Sequence, residues 1–242
     1  MPDVIKQLAF ETLKIYAILI GIYFVLGLVL SRINATRPKI QQKECPSAIV
    51  KRDMIQSALS LMSISFFVAA GTVLQARGFG FSAPAPGPFG TVLTFIASML
   101  IFDTWFYWGH RLIHTKRLFK AVHKWHHVSN TPTVWSNNSD SFLDNCFLQS
   151  YFLVAHFIFP IHSYVVLAHK IFDQITGMIG HSGHEYSSEK SAVYPCPLIA
   201  VTFHDQHHSH FKYNFATHFS VWDRLMGTLA PDYESRVREL TK

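Results

Sequence analysis

Three long apolar runs limit what this chain can fold into. Residues 13–30 (LKIYAILIGIYFVLGLVL) carry no charge after Lys14, residues 54–76 carry none, and residues 91–109 carry only Asp103. Each approaches or exceeds the roughly 20 residues that a bilayer crossing needs. Backbone polar groups in hydrocarbon must be satisfied within the segment, which makes such runs helices. Residues 142–180 form a further apolar region broken at Pro160, read as two antiparallel segments, 142–159 and 161–179. The expectation is an all-α integral membrane bundle of four to five spans, the 142–179 pair either crossing twice or dipping as a re-entrant hairpin. Composition agrees, with 49% hydrophobic and only 15% charged residues, against about 25% charged in soluble domains.

Charge then orients the bundle. Arg32, Arg37, Lys39, Lys43, Lys51 and Arg52 fill the 31–53 linker, and Arg111, Lys116, Arg117, Lys120 and Lys124 follow the third run. Basic flanks of this kind face the cytoplasm. The Gly/Pro-rich stretch 77–90 (RGFGFSAPAPGPFG) is a loop on the far side. Ser57, Ser60, Ser63 and Ser65 soften the second run and suit close helix packing. The net charge of +6 is not gathered into a basic stripe with interleaved aromatics, so nucleic acid is not the partner. Cys45, Cys146 and Cys196 form no C-x-x-C pair, which excludes a disulfide framework and a thiolate zinc site. The first run lacks a small-residue cleavage pattern and is expected to stay uncleaved. There is no room for a fused electron-transfer domain, so reducing equivalents come from another protein.

Four histidine groups punctuate the second half. His110 and His114 are spaced H-x-x-x-H, and His123, His126 and His127 are spaced H-x-x-H-H. His181 and His184 lie in GHSGHE, and His204, His207 and His208 repeat H-x-x-H-H. Residues three and four apart share a helix face, as multidentate metal binding requires. One metal takes three or four protein ligands, so ten histidines point to two metals. Asp103, the candidate catalytic carboxylate, shares a face with His110 and His114 to within about 20°. From there it could accept a hydrogen bond from a ring nitrogen or from the substrate side. His123 falls about 180° from His114 on a continuous helix, so the chain must bend near Thr115–Phe119. His156, His162 and His169 have no paired spacing and are expected to be packing or interfacial residues, and His210 and His218 are left outside the ligand set.

Neutral imidazoles suit iron, copper or zinc. Zinc acts only as a Lewis acid or water activator, whereas an unactivated C–H bond needs a redox metal and O₂. A histidine-rich metal transporter or metal-binding protein is the alternative. Transporters hold their ligands near the bilayer midplane, and these groups follow basic flanks outside the spans.

The motifs D-x-x-x-Y-W-x-H-R-x-x-H (Asp103 to His114), HKWHH, GHSGHE and HDQHH, followed by YNFATHFSVWDRLMGT, resemble the sterol desaturase and fatty acid hydroxylase superfamily of membrane di-iron oxygenases. The resemblance covers roughly 103–230, and the PTVW, FPIH and tail segments are most similar to the sterol C5-desaturase branch. It implies two iron ions, replaceable by zinc on overproduction, ligated by His110, His114, His123, His126, His127, His181, His184, His204, His207 and His208. It implies hydroxylation or desaturation of a sterol-like or fatty acyl lipid with O₂. Electrons would come from a separate donor, cytochrome b5-like or ferredoxin-like with its reductase. The chain divides into a transmembrane region, 1–100, and a catalytic domain, 101–242, with a dinuclear site in a cytosolic helical cap. The membrane would be the endoplasmic reticulum in a eukaryote or the inner membrane in a bacterium, with the active site on the cytoplasmic side.

Overall fold

A computed structural model describes residues 2–242. The described residues form helices and turns, with one isolated bridge, Leu198 to Phe219, and no strand. The chain is an all-α membrane bundle. Helices α1 (Pro2–Asn34), α2 (Ser47–Ala76) and α3 (Pro88–Ile113) are long and apolar enough to cross a membrane. At about 1.5 Å per residue, the 26 residues of α3 exceed the ~30 Å hydrocarbon thickness. Leu28 on α1 and Leu100 on α3 are 64% and 53% exposed, presenting apolar surface outward as lipid contact requires.

These helices begin earlier than the apolar runs suggest. Helix α2 takes in Lys51 and Arg52, and α3 starts at Pro88 with Gly87 at its N-cap. Proline suits that position because its missing N–H would be unpaired there anyway. Only 77–87 of the expected Gly/Pro loop is non-helical.

The 142–180 region breaks near Pro160 as expected, but its first arm is split again. It comprises α4 (Phe142–Leu148), α5 (Tyr151–Ile158) and α6 (Ser163–Gly180). At seven and eight residues, α4 and α5 are each too short to cross. Helix α6 buries His169, Lys170, Asp173 and Gln174 on its inner face. By length and composition the spans number three, and the four to five expected from sequence are not reached on that criterion. The tail adds α7 (Glu189–Ala192), α8 (Val201–His210), α9 (Val221–Leu225) and α10 (Tyr233–Leu240).

The two larger apolar cores divide the work, beside a small third one at Ile113, Val122 and Leu148. One joins α1, α2, α3, α5 and α6 around Leu19, Ile64, Phe102, Trp135 and Phe152. The other packs Tyr107 at the end of α3 against Phe203, Phe215 and Tyr233 of the tail. The α2 serines do more than permit close packing: they hold the loop that follows the second histidine group. Ser57 Oγ donates to Trp135 O at 3.1 Å, and Asn145 Nδ2 donates to Ser60 Oγ and Ser63 Oγ, each at 2.8 Å. Asp53 accepts from Ser129 Oγ at 2.5 Å and Ser139 Oγ at 2.8 Å. Tyr23 OH of α1 also donates to Trp135 O, at 2.7 Å.

Trp135 is pressed onto α1 at Gly27, where an added Cβ would sit 2.5 Å from the indole ring. Gly21, two turns away on the same helix, has open space. Gly27→Ala should therefore cost about 1–3 kcal/mol through overpacking and lower the thermal unfolding temperature in detergent. Gly21→Ala should leave it unchanged or raise it. Equal temperatures for the two variants would contradict this packing.

Candidate metal centre

Nine of the ten predicted histidines gather into two groups. His110, His114, His123, His127 and His207 form one, and His126, His181, His204 and His208 form the other. Within each group one ligand atom per residue lies within 4.8 Å of the others, and either group could hold a metal ion. All nine rings are buried or half-buried.

Local structure explains the sorting. His110 sits in the last turn of α3, and His114 caps its C-terminus. Turns then bend the chain between His114 and Trp125, where the sequence required a bend. His126 N and His127 N both turn back to His123 O, keeping helical spacing without a full helix. His123 and His127, one turn apart, enter the first group, and His126 faces the second. On α8 the sorting reverses: His204 and His208 enter the second group and His207 the first. Each H-x-x-H-H motif thus serves both groups.

Acceptors behind the rings fix which nitrogen points inward. Nδ1–H of His110 donates to Phe215 O at 2.8 Å, and that of His181 to Gly177 O at 2.8 Å. His207 donates to Tyr213 O at 2.7 Å and His208 to Ser129 O at 3.0 Å. A carbonyl can only accept, so these four rings carry a bare lone pair at Nε2. His123 Nδ1 meets Asp144 Oδ2 at 2.6 Å, and His126 Nδ1 lies 2.9 Å from Asp140 Oδ1.

The inward nitrogens crowd together. His204 Nε2 lies 2.9 Å from that of His181 and 3.1 Å from that of His208, both bare. One proton on His204 can satisfy only one of them. In the other group His127 Nε2 is 3.1 Å from both His114 Nε2 and His207 Nε2. Protons cannot pair these atoms completely, whereas a cation in each group accepts every lone pair. The donor set therefore fits two metal ions of the kind imidazole favours.

Electrostatics keep the rings neutral and ready to ligate. Burial, reinforced by neighbouring rings, holds His123, His127, His204, His207 and His208 well below the usual imidazole value. The same causes lower His114 to about 2 and His181 to about 3.

The remaining expected site residues lie elsewhere. His184 joins neither group, and its Nδ1–H donates to Pro38 O at 3.0 Å. Asp103 touches none of the nine rings. Its Oδ1 accepts from the backbone N–H of Thr217, His218 and Phe219 at 3.3, 2.8 and 3.2 Å. Asp223 similarly takes the N–H groups of Phe215 and Ala216, each at 2.9 Å. These two carboxylates hold the 213–219 segment whose carbonyls orient His110 and His207.

Sequence reasoning missed Asp140, in a polar loop, and Asp144, in the first turn of α4, neither of which has a diagnostic spacing. It also missed Lys170, Asp173 and His218. The first two had a signal: an oppositely charged i, i+3 pair inside an apolar run is costly and usually functional.

A cavity of about 340 Å³ adjoins both groups. His110, His123, His126, His181 and His204 line one part, and Met99, Phe106, Leu148, Phe172 and Ile179 line another. An apolar molecule there would lie directly against the rings.

Two outcomes test the centre. Replacing His126 or His207 by Ala should remove at least one metal equivalent per chain on elemental analysis, while His184→Ala should retain the full content. The depressed imidazoles also link stability of the metal-free protein to pH. The unfolded chain binds more protons below about 6.5, so stability is full above that value and falls progressively towards pH 3. The unfolding temperature of chelator-treated protein should fall between about pH 7 and pH 5, and less so after His114→Gln with His181→Gln.

The profile of the family described as "Fatty acid hydroxylase" matches residues 95–228. Human lathosterol oxidase is 30% identical over 191 residues, covering 74% of this chain and 60% of its own length. A Delta(7)-sterol 5(6)-desaturase of Aspergillus fumigatus is 26% identical over 239 residues, covering 91% of this chain and 64% of its own. Methylsterol monooxygenase 1 of Gallus gallus is 33% identical over 130 residues, covering 53% and 43%. The chain thus spans about 60% of the length of the curated relatives it matches first. No solved structure matches it. With both histidine groups falling inside the matched region, the chain belongs to the fatty acid hydroxylase family, within the sterol desaturase and fatty acid hydroxylase superfamily.

Proposed function

We propose that this chain uses O₂ to oxidise a C–H bond of a membrane lipid, sterol-like or fatty acyl, at two iron ions held by the nine grouped histidines. The observation that carries the reading is the shared cavity: imidazole groups suited to redox metals face the same space as an apolar wall. Relatives named for the oxidation of sterols support it.

Bound there, the irons supply the one-electron and O₂ chemistry that an unactivated C–H bond demands and that no side chain provides. The protein supplies position and environment. Carbonyls of Ser129, Gly177, Tyr213 and Phe215, with Asp144, hold five of the rings with Nε2 facing inward, and Asp140 lies beside a sixth, His126. Phe106, Leu148 and Phe172 exclude water and hold the hydrocarbon against the rings. Hydroxylation and desaturation begin with removal of the same hydrogen, and substrate placement in this cavity decides between them.

The catalytic part is 101–242, which contains all nine rings, and 1–100 anchors it. The site faces the cytoplasm, where a separate donor, cytochrome b5-like or ferredoxin-like with a reductase, delivers electrons. Lys116, Arg117, Lys120 and Lys124 are exposed beside the first group and would steer an acidic donor there. Zinc replaces iron in overproduced protein because the same imidazoles bind both.

Purified protein given a reductase system, lipid extract and ¹⁸O₂ should yield an oxidised lipid. Label in a lipid alcohol identifies hydroxylation, and a new double bond with label only in water identifies desaturation. Metal-loaded protein that oxidises no lipid under air would refute the enzyme reading.

A further inference from the structure

The cavity that meets the histidine groups has other polar residues in its wall, Gln149, Asp173 and His218. His218 is 7% exposed and Asp173 6%. Asp173 Oδ2 accepts from Lys170 Nζ at 2.6 Å, and Lys170 also donates to Gln149 Oε1 at 2.8 Å. The Lys170 charge is thereby neutralised from one side of the carboxylate. The other oxygen, Oδ1, lies 3.8 Å from His218 Nε2, too far for a hydrogen bond. His218 Nε2 is buried and has no partner.

The His218 ring sits among Phe102, Phe172 and His169, at centroid distances of 6.0, 5.6 and 6.4 Å. Asp103 pins its backbone through the His218 N–H. The ring is thus packed on three sides, and its backbone is anchored beside the 3.8 Å gap between Nε2 and Oδ1.

Leaving the buried His218 Nε2 unpaired beside a carboxylate oxygen in the cavity wall is costly unless something completes it. A single oxygen about 2.8 Å from each of two atoms this far apart satisfies both. It must accept from His218 Nε2–H and donate to Asp173 Oδ1. A hydroxyl does both, whereas an ether or ester oxygen can only accept.

We propose that His218 and Asp173 bind the free hydroxyl of a hydroxylated lipid, fixing which carbon of its apolar body lies against the histidine groups. This rests on the reading that a lipid occupies the cavity. It makes His218 a specificity residue, and Lys170 and Asp103 positioning residues. Lipids whose polar end is esterified or etherified are rejected because they leave Asp173 Oδ1 without a donor, the kind of mismatch that discriminates strongly.

The test measures binding, not turnover. The full metal-loaded chain in lipid nanodiscs is titrated with radiolabelled cholesterol and its O-methyl ether, and separately with octadecanol and octadecyl methyl ether. In at least one pair the alcohol should bind roughly ten-fold or more tightly than the ether. The pair showing the preference identifies a ring system or a chain as the apolar body. His218→Phe should reduce the preference to less than about two-fold with metal content unchanged, and His218→Gln, which restores an N–H, should recover most of it. Equal binding of alcohol and ether by the wild-type protein in both pairs overturns the proposal, as does a preference that survives His218→Phe. A preference in protein that oxidises no lipid would sink the enzyme reading and leave this one standing. Lipid oxidation without a preference would do the reverse.

Discussion

The centre depends on a fixed tautomer. Once His110, His181, His207 and His208 give their Nδ1 protons to backbone carbonyls, their inward nitrogens are lone pairs. Several lone pairs about 3 Å apart in a buried pocket repel, and burial forbids relief by protonation. The polypeptide therefore builds a pair of negative-potential sites and leaves their completion to cations.

That support is itself buried and polar, which makes it demanding. Asp103, Asp223 and Asp53 each receive two or more donors from loops that carry no regular structure. A buried carboxylate with several donors offsets its desolvation only while all of them stay in place. Removing one partner of such an arrangement typically costs about 3–5 kcal/mol. The loops at 129–141 and 213–219 are thereby anchored at several points, next to the rings they orient. Trp222 adds to it from the tail, donating Nε1–H to Thr104 Oγ1 of α3 at 3.0 Å.

Much of this was legible because it is periodic. Apolar runs gave the three long helices, and helical spacing singled out the ten histidines and the bend after His114. Polar details without a period were not legible. Nothing in SNNSDSFLDN marks Asp140 and Asp144 as the carboxylates that reach His126 and His123. Asp103 looked suited to a ring because it shares a face with His110 and His114. Its actual partners, three consecutive amides, lie over a hundred positions away in sequence. His184 has the spacing of a ligand, but the turn at Gly183, with φ of +73°, lies between it and His181. The backbone changes direction there, and His184 meets Pro38 instead. Helical spacing is informative only where the backbone keeps turning as in a helix, as it does from His123 to His127, and α6 stops at Gly180.

The doubled H-x-x-H-H motif has a geometric logic that follows from the helix repeat. Positions i and i+4 lie about 40° apart, while i+3 lies about 60° to the other side of i. One motif can thus give two rings to one site and its third to a neighbour. Two such segments, packed with opposite assignments, supply three rings to each group: His123, His127 and His207 to one, and His126, His204 and His208 to the other. His110 and His114 then complete the first group and His181 the second. The first group holds five rings and the second four, so the two are chemically unequal. Both are linked through shared backbone, since displacing His126 also moves His127 one residue on. The two groups are thus built from the same two short segments and are joined by one peptide bond at His126–His127.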